Sequence, residues 1–486
     1  MKKTCLWSVL FALLSVALVS SVSADVRMPR MFSNNCVLQR GVPVNVFGFA
    51  DAGEKVTVEF NGQKIETTAC EAGKWLVKLA PMETKCEGSV MTITGKNTIT
   101  VENVVVGEVW VCSGQSNMEY ALGGWGRVDA TEEELTGDNS FIRFLRDAYV
   151  TNPKPQEDLA GGAWIECKDG QQKPCTAVGF YFAKRLHDEL GCPIGLIHCN
   201  WGGSKVEEWM PAEGMAMLSE ETAAHAREFV THVKADNRKY TGCMFNGKLS
   251  PWTKYTIKGA IWYQGCSNGG QGQVYFEKMQ AMIQSWRAIW GYEFPFYWVQ
   301  LANYQAPNDD PNTMGGFVPV RAAQTKCLTI PKTGQAVTID IGEANDIHPI
   351  NKFTVGNRLA VCALANDYGK DVIYASPLFK SMKVEGNKAI LTFDNGGTNL
   401  VVGKQNVRKF SIDNESALKC FAVAGADGKY YWAEAKITSA NTIEVSAPEV
   451  ATPVNVRYAY QQNPEGANLY NVAGLPASPF STEPLK

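Results

Sequence analysis

The sequence predicts an α/β protein, a parallel-sheet core flanked by an N-terminal and a C-terminal β unit. Three observations predict it. Residues 25–103 alternate apolar and polar side chains between turn signals; from 104 to 369, apolar runs alternate with segments of helical period; from 370 to 486 the strand-like alternation returns. A chain of 486 residues allows roughly two to four such units. With 45% hydrophobic and 20% charged residues it can bury a substantial core.

Ahead of these units, Lys2 and Lys3 precede an apolar run from Leu6 to about Val19, then the small residues Val22-Ser23-Ala24. This is the pattern of a secretory signal, residues 1–24, cleaved after Ala24. The apolar run is short for a membrane span, so the mature protein is expected to be exported, periplasmic or extracellular, with no span left after cleavage. Removing Cys5 leaves 13 cysteines, an odd number, so at least one thiol stays free or pairs between chains.

The N-terminal unit, 25–103, carries turns at Asp51-Ala52-Gly53, Asn61-Gly62 and Ala72-Gly73 between alternating runs, which predicts a small antiparallel sandwich. In the central unit, 104–369, strands are expected at 104–112, 194–199, 259–264, 295–302 and 335–341. Helices are expected at 176–191, 275–291 and 318–328, with Gly191 and Gly291 as stops. Alternation of this kind builds a parallel sheet with helices on both faces and ligands beyond the carboxyl ends of its strands. In the C-terminal unit, 370–486, recurring Asn-Gly and Asp-Gly turns predict further antiparallel β structure.

Net charge is −3 and no basic run stands out, which argues against a nucleic-acid partner. No C-x-x-C occurs, and none of the five histidines pairs at i, i+4, so neither a metal nor another cofactor is expected. The stretch "VCSGQSNMEY", 111–120, ends the first expected strand and turns through Ser113 to Asn117. Ser116 there reads either as a helix cap or as a nucleophile whose own N–H faces a developing negative charge. A serine nucleophile needs a base. His187, His225 and His232 lie in charged or polar helical stretches, and His198 lies within a strand. His348, in "EANDIHPINK", follows a strand and a Gly342 turn at the same sheet edge as Ser116. Asp346, two residues earlier, can orient its imidazole, and Glu343 is a second candidate. For the oxyanion, "NWGGS" at 200–204 offers unobstructed backbone N–H groups, and "WYQGCSN" offers the amides of Gln264 and Asn268.

Together, "FSNNCVLQRGVPVNVFG", "GEVWVCSGQSNMEYAL", "NWGGSKVEEWMP", "IWYQGCSN", "NDIHPINKFTVGNRLA" and the tail "VRYAYQQNPEGANLYNVAGLPASPF" resemble the sialate O-acetylesterase family, serine esterases of the SGNH hydrolase group. The resemblance runs in chain order over nearly the whole mature sequence. It implies a flavodoxin-like SGNH core, Ser116 as nucleophile, His348 as base, and Gly203 with Gln264 and Asn268 at the oxyanion hole. Gln115, Asn117, Trp201 and Cys266 are then expected against the substrate, an acetylated sugar or sialoglycan. Two positions depart from the family pattern. Cys266 stands where a Glu is usual, and Asn345 stands three residues before the histidine, where many SGNH esterases carry the acid.

The expected activity is removal of O-acetyl groups from sialic acid through an acetyl-enzyme. The alternatives are an esterase of other acetylated carbohydrates such as xylan, and a carbohydrate-binding protein with a degenerate site. A third reading makes Cys266 the nucleophile. For a substrate carboxylate, Lys205 and Arg127 are candidate partners.

Overall fold

One long strand, Thr98–Gly114, organises the molecule. The computed structural model describes residues 25–124, 128–232 and 241–484, with the backbone alone at 229–232. The expected export signal, 1–24, lies outside the described residues. β-Branched residues dominate the strand, and Val101, Val104, Val105, Val106, Val109 and Val111 are all buried. Its first half pairs antiparallel with Lys85–Thr94 of the N-terminal β structure. Its second half lies parallel between Ile194–Asn200 and Gly259–Tyr263. The strand therefore runs unbroken through residues 103 and 104, where the sequence pattern changes.

The central sheet is ordered Thr333–Ala336, Phe296–Val299, Gly259–Tyr263, Thr98–Gly114, Ile194–Asn200, Asn139–Arg146, Trp164–Cys167. All neighbours along this path are parallel except the last pair. Side-chain parity sends the bulky residues to two faces. Trp110 packs edge-on against Phe182 of the helix Ala177–Leu190. Trp262 is in register with Ser113, so it points to the opposite face, and it packs edge-on against Trp286 of the helix Gln273–Trp290. Helices thus cover both faces, as the alternation predicts.

The expected helices form at Ala177–Leu190, Gln273–Trp290 and Phe317–Lys326, the first two ending on Gly191 and Gly291 in the left-handed conformation. The helix Lys352–Tyr368 was not foreseen; it begins four residues after His348 and is capped by the Asn351 side chain. The strand expected at 335–341 is only Thr333–Ala336. Beyond Ala336, side chains replace the strand ladder: Arg358 donates to Val337 O at 2.7 Å and Thr338 donates to Gln300 O at 2.5 Å.

From Leu378 onward the chain forms short strands in three sheets of four, three and four strands. Their core, with Leu391, Phe393, Val423, Val445 and Tyr458, is separate from the main one and includes Val337 and Ile339. Buried Arg321 ties this region to the central sheet, donating to the carbonyls of Leu301, Ala302, Gln461 and Gln462. Among the described residues, no helix is long and apolar enough to cross a membrane.

Candidate active site

Three neighbouring strands end level with one another, Gly114 standing in register with both Asn200 and Tyr263. The segments leaving them are Gln115–Ser116, Trp201–Gly203 and Gln264–Asn268. Gly114 has φ +130°, and a Cβ there would lie 2.3 Å from Tyr263 O, so only glycine allows the strands to close up at this point. The chain then makes a single helical turn, Ser116–Glu119. Gln115 is its N-cap residue and makes no side-chain cap bond, and Ser113 is buried within the strand. Neither serine caps a helix.

His348 Nε2 lies 2.9 Å from Ser116 Oγ. Its Nδ1 lies 3.3 Å from Asp346 Oδ1, and the same oxygen accepts the His348 backbone N–H at 2.8 Å. With the ring proton on Nδ1 facing the carboxylate, Nε2 can accept the Ser116 proton. Glu343, the other acid considered, accepts the Ile350 N–H at 2.8 Å and closes the loop from behind. The N–H groups of Ser116 and Gly203 have no acceptor among the described residues. Gly203 is exposed and adopts φ +72°.

The two side-chain amides expected at the oxyanion are occupied elsewhere. Gln264 donates to Ser204 O at 3.1 Å and to Asn268 Oδ1 at 2.7 Å. Asn268 donates to Glu207 Oε2 at 2.9 Å and to Gln271 Oε1 at 3.2 Å. Both are fully buried. They join the second and third loops, because Asn268 Oδ1 also accepts the Val206 N–H at 3.1 Å. Behind them Lys278 donates to Glu207 Oε1 at 2.5 Å, both side chains fully buried. Burial alone would raise the Glu207 pKa, but Lys278 and the Asn268 amide hold it below the ordinary carboxylate value.

Asn117, expected against the substrate, is also buried. It donates to Ile347 O at 2.9 Å and accepts from Lys352 Nζ at 2.5 Å, so it fastens the His348 loop to the Ser116 turn. Gln115 Oε1 accepts from Gly265 and Ser267 N–H at 3.2 and 3.4 Å, tying the first loop to the third. Trp201 is half-buried and meets Tyr149 edge-on, ring centroids 4.8 Å apart. Cys266 is half-buried beside these loops, and burial pushes its thiol up to about 12, which leaves it protonated and a poor nucleophile at neutral pH. His198 is buried and bonded to Asn200 Oδ1, as a histidine within a strand should be. Lys205 is half-buried, and Arg127 lies outside the described residues.

Three participants escaped the sequence reading. Glu119 accepts the Gly202 N–H at 2.5 Å; its other oxygen faces Tyr149 and Arg146. Its position three residues after Ser116 was the available signal. Lys352 and Glu207 sit four residues after His348 and Gly203, and only the folded contacts reveal them. Among the described residues, no cluster of three or more ligating side chains could hold a metal ion. A cavity of about 1000 Å³, lined by Phe47, Trp75, Met210, Phe245 and Thr253, includes none of Ser116, Gly203 and His348 in its walls, so the Ser116–His348 pair lies elsewhere.

The arrangement can deprotonate a serine hydroxyl and present two N–H groups to an oxyanion, the requirements of acyl transfer. The model of the carbohydrate esterase, sialic acid-specific acetylesterase family matches residues 106–364. Similar curated proteins include the sialate O-acetylesterases of Mus musculus and Homo sapiens, each 27% identical. The mouse alignment covers 96% of both chains, the human one 95% of this chain and 93% of the relative. A carbohydrate acetylesterase from Xanthomonas citri is similar in structure, with a TM-score of 0.84 and 34% identity over 94% of this chain and 99% of that one.

Proposed function

We propose that this chain, which belongs to the sialic acid-specific acetylesterase family of carbohydrate esterases, removes O-acetyl groups from sialic acid through an acetyl-enzyme on Ser116. Membership makes it a carboxylic ester hydrolase acting on carbohydrate. The observation that carries the mechanism is the 2.9 Å contact between Ser116 Oγ and His348 Nε2, backed by Asp346 at 3.3 Å from Nδ1.

His348 takes the hydroxyl proton as Ser116 Oγ attacks the acetyl carbonyl. The N–H groups of Ser116 and Gly203 receive the oxyanion. His348 then gives the proton to the departing sugar oxygen. Water, deprotonated by the same imidazole, attacks the acetyl-serine; the imidazolium returns that proton to the departing Ser116 Oγ as acetate is released. Trp201 and Cys266 flank the entering sugar; Gln115, Asn117, Gln264 and Asn268 hold the loops that carry the reacting groups.

The parallel sheet with its nucleophile on the first central strand supports an SGNH-type core. The changes of sequence pattern support units at 25–103, 104–369 and 370–486. The Lys2-Lys3, apolar-run and Val22-Ser23-Ala24 pattern supports export by cleavage after Ala24, to the periplasm or outside the cell.

The nature of the sugar is tested by acetate release from 9-O-acetyl sialic acid set beside acetylated xylan. The proposal expects the higher kcat/KM on the sialic acid. Faster turnover of the xylan would move the substrate to neutral sugars, a reading favoured by Arg146, a cation near the site already engaged by Glu119 and Tyr149.

A further inference from the structure

We propose that Glu119 is a positioning residue for this reaction. Its carboxylate takes the Gly202 N–H and so holds the Trp201–Gly203 turn with the next N–H, that of Gly203, open to the oxyanion. The proposal rests on Ser116 being the nucleophile.

The Trp201–Gly203 turn is anchored at both ends on one atom. Trp201 N–H donates to Gly114 O at 3.0 Å, and the Ser204 hydroxyl lies 3.4 Å from the same oxygen. The middle of the turn has no backbone partner of its own. Glu119 supplies it, through Oε2 at 2.5 Å from Gly202 N. Gly202 sits between the carboxylate and the nucleophile: a Cβ built on it would lie 3.1 Å from Glu119 Oε2 and 3.5 Å from Ser116 Cβ. The bond thus fastens the second loop directly to the helical turn that begins with Ser116.

A carboxylate so close to a developing oxyanion would oppose it electrostatically unless neutralised. The other oxygen of Glu119 accepts the Tyr149 hydroxyl and lies 3.6 Å from Arg146 Nη2. Arg146 also donates to the Tyr149 oxygen. Burial and the Glu119 carboxylate raise the Tyr149 pKa, which keeps the phenol a donor. Tyr149 in turn packs on Trp201, the first residue of the same turn. Glu119, Tyr149, Trp201 and Gly202 therefore form a closed ring of contacts around the turn, with its charge offset by Arg146.

The test uses the full chain and its Glu119→Ala and Glu119→Gln variants, measured for kcat and KM on p-nitrophenyl acetate, for thermal melting and for fluorophosphonate labelling of Ser116. Glu119→Ala is expected to lower kcat by about 30-fold or more while KM stays within about three-fold, as for partial loss of one oxyanion donor. Glu119→Gln, which keeps an acceptor for Gly202, is expected to recover about ten-fold of that loss. A folded Glu119→Ala enzyme with the parent's kcat, or a Gln variant as impaired as the Ala variant, would overturn the proposal. If Glu119→Ala does not fold, Arg146→Met decides. It should lower kcat in the parent, where it exposes the charge, and much less in the Glu119→Gln background; equal losses in both overturn the proposal. Labelling separates the two layers. A parent enzyme unlabelled at Ser116 removes the nucleophile itself, whereas a labelled parent with a fully active Glu119→Ala variant removes only the positioning role.

Discussion

Ser116 meets His348, 232 positions later in sequence, and Asp346 beside it, and each has a local reason to be there. Gly114 turns the chain off its strand, Ser116 opens a single helical turn, and Asp346 binds both the backbone and the ring of His348. Glu343 accepts the Ile350 N–H, whereas Asp346 faces the imidazole, so the two carboxylates should separate on mutation. Asp346→Asn is expected to lower kcat by roughly 10²–10⁴-fold through loss of the imidazole's orientation. Glu343→Gln should act chiefly on the melting temperature. Steady-state kinetics and thermal melts of the two variants check this, and the reverse pattern would reassign the acid. The serine and the histidine were legible in sequence because histidines are few and only one follows a strand at the right sheet edge. The bonds of the Asn117, Gln264 and Asn268 amides to neighbouring loops were not legible, because an amide serves a substrate and a loop equally well and sequence does not say which partner is in reach.

At the level of elements, the loops at the sheet edge are held by a buried polar relay, from Gln264 through Asn268 and Glu207 to Lys278 on the helix Gln273–Trp290. Removing one partner of a fully buried ion pair leaves the other charge uncompensated, at a cost of about 3–5 kcal/mol. Lys278→Met should therefore lower stability by that order, and the Lys278→Met, Glu207→Gln double variant should regain part of it. Urea unfolding of the single and double variants measures the difference. The helices at Ala177–Leu190 and Gln273–Trp290 were readable because each pairs an apolar period with a glycine stop. Lys352–Tyr368 was missed although Asn351 caps it and Gly369 ends it, because it is buried on much of its circumference and so shows a weak amphipathic period. The strand expected at 335–341 stops at Ala336; the next carbonyl, Val337 O, accepts from the Arg358 side chain and Thr338 O from the Ile341 N–H, partners that the local pattern does not reveal.

Across the whole molecule, the sheet buries a histidine that acid must charge. His198 lies on the central strand Ile194–Asn200, where burial, with Arg146 and Lys248 nearby, lowers its pKa from 6.5 to about 3. Between those values the unfolded chain binds a proton that the folded chain refuses, so stability falls as pH drops below 6.5. From pH 6.5 to 5 this group should remove up to about 1.4 kcal/mol per pH unit. Denaturant unfolding across that range should show the slope, and His198→Gln should flatten it. The passage from antiparallel β structure to a parallel α/β sheet, and on to further β sheets, was visible as changes of hydrophobic period. The fusion of the first two through Thr98–Gly114 was not, since one strand of 17 residues looks in sequence like two shorter ones. The architecture sets Ser116 Oγ 2.9 Å from His348 Nε2, the pair proposed to accept and release the acyl group. Mapping the adduct left by a fluorophosphonate, by mass spectrometry of the inactivated enzyme, tests that role most directly. A single adduct on Ser116, rising in step with loss of p-nitrophenyl acetate hydrolysis, is the result predicted. Complete inactivation with the adduct on another residue, or full activity with Ser116 modified, would contradict it.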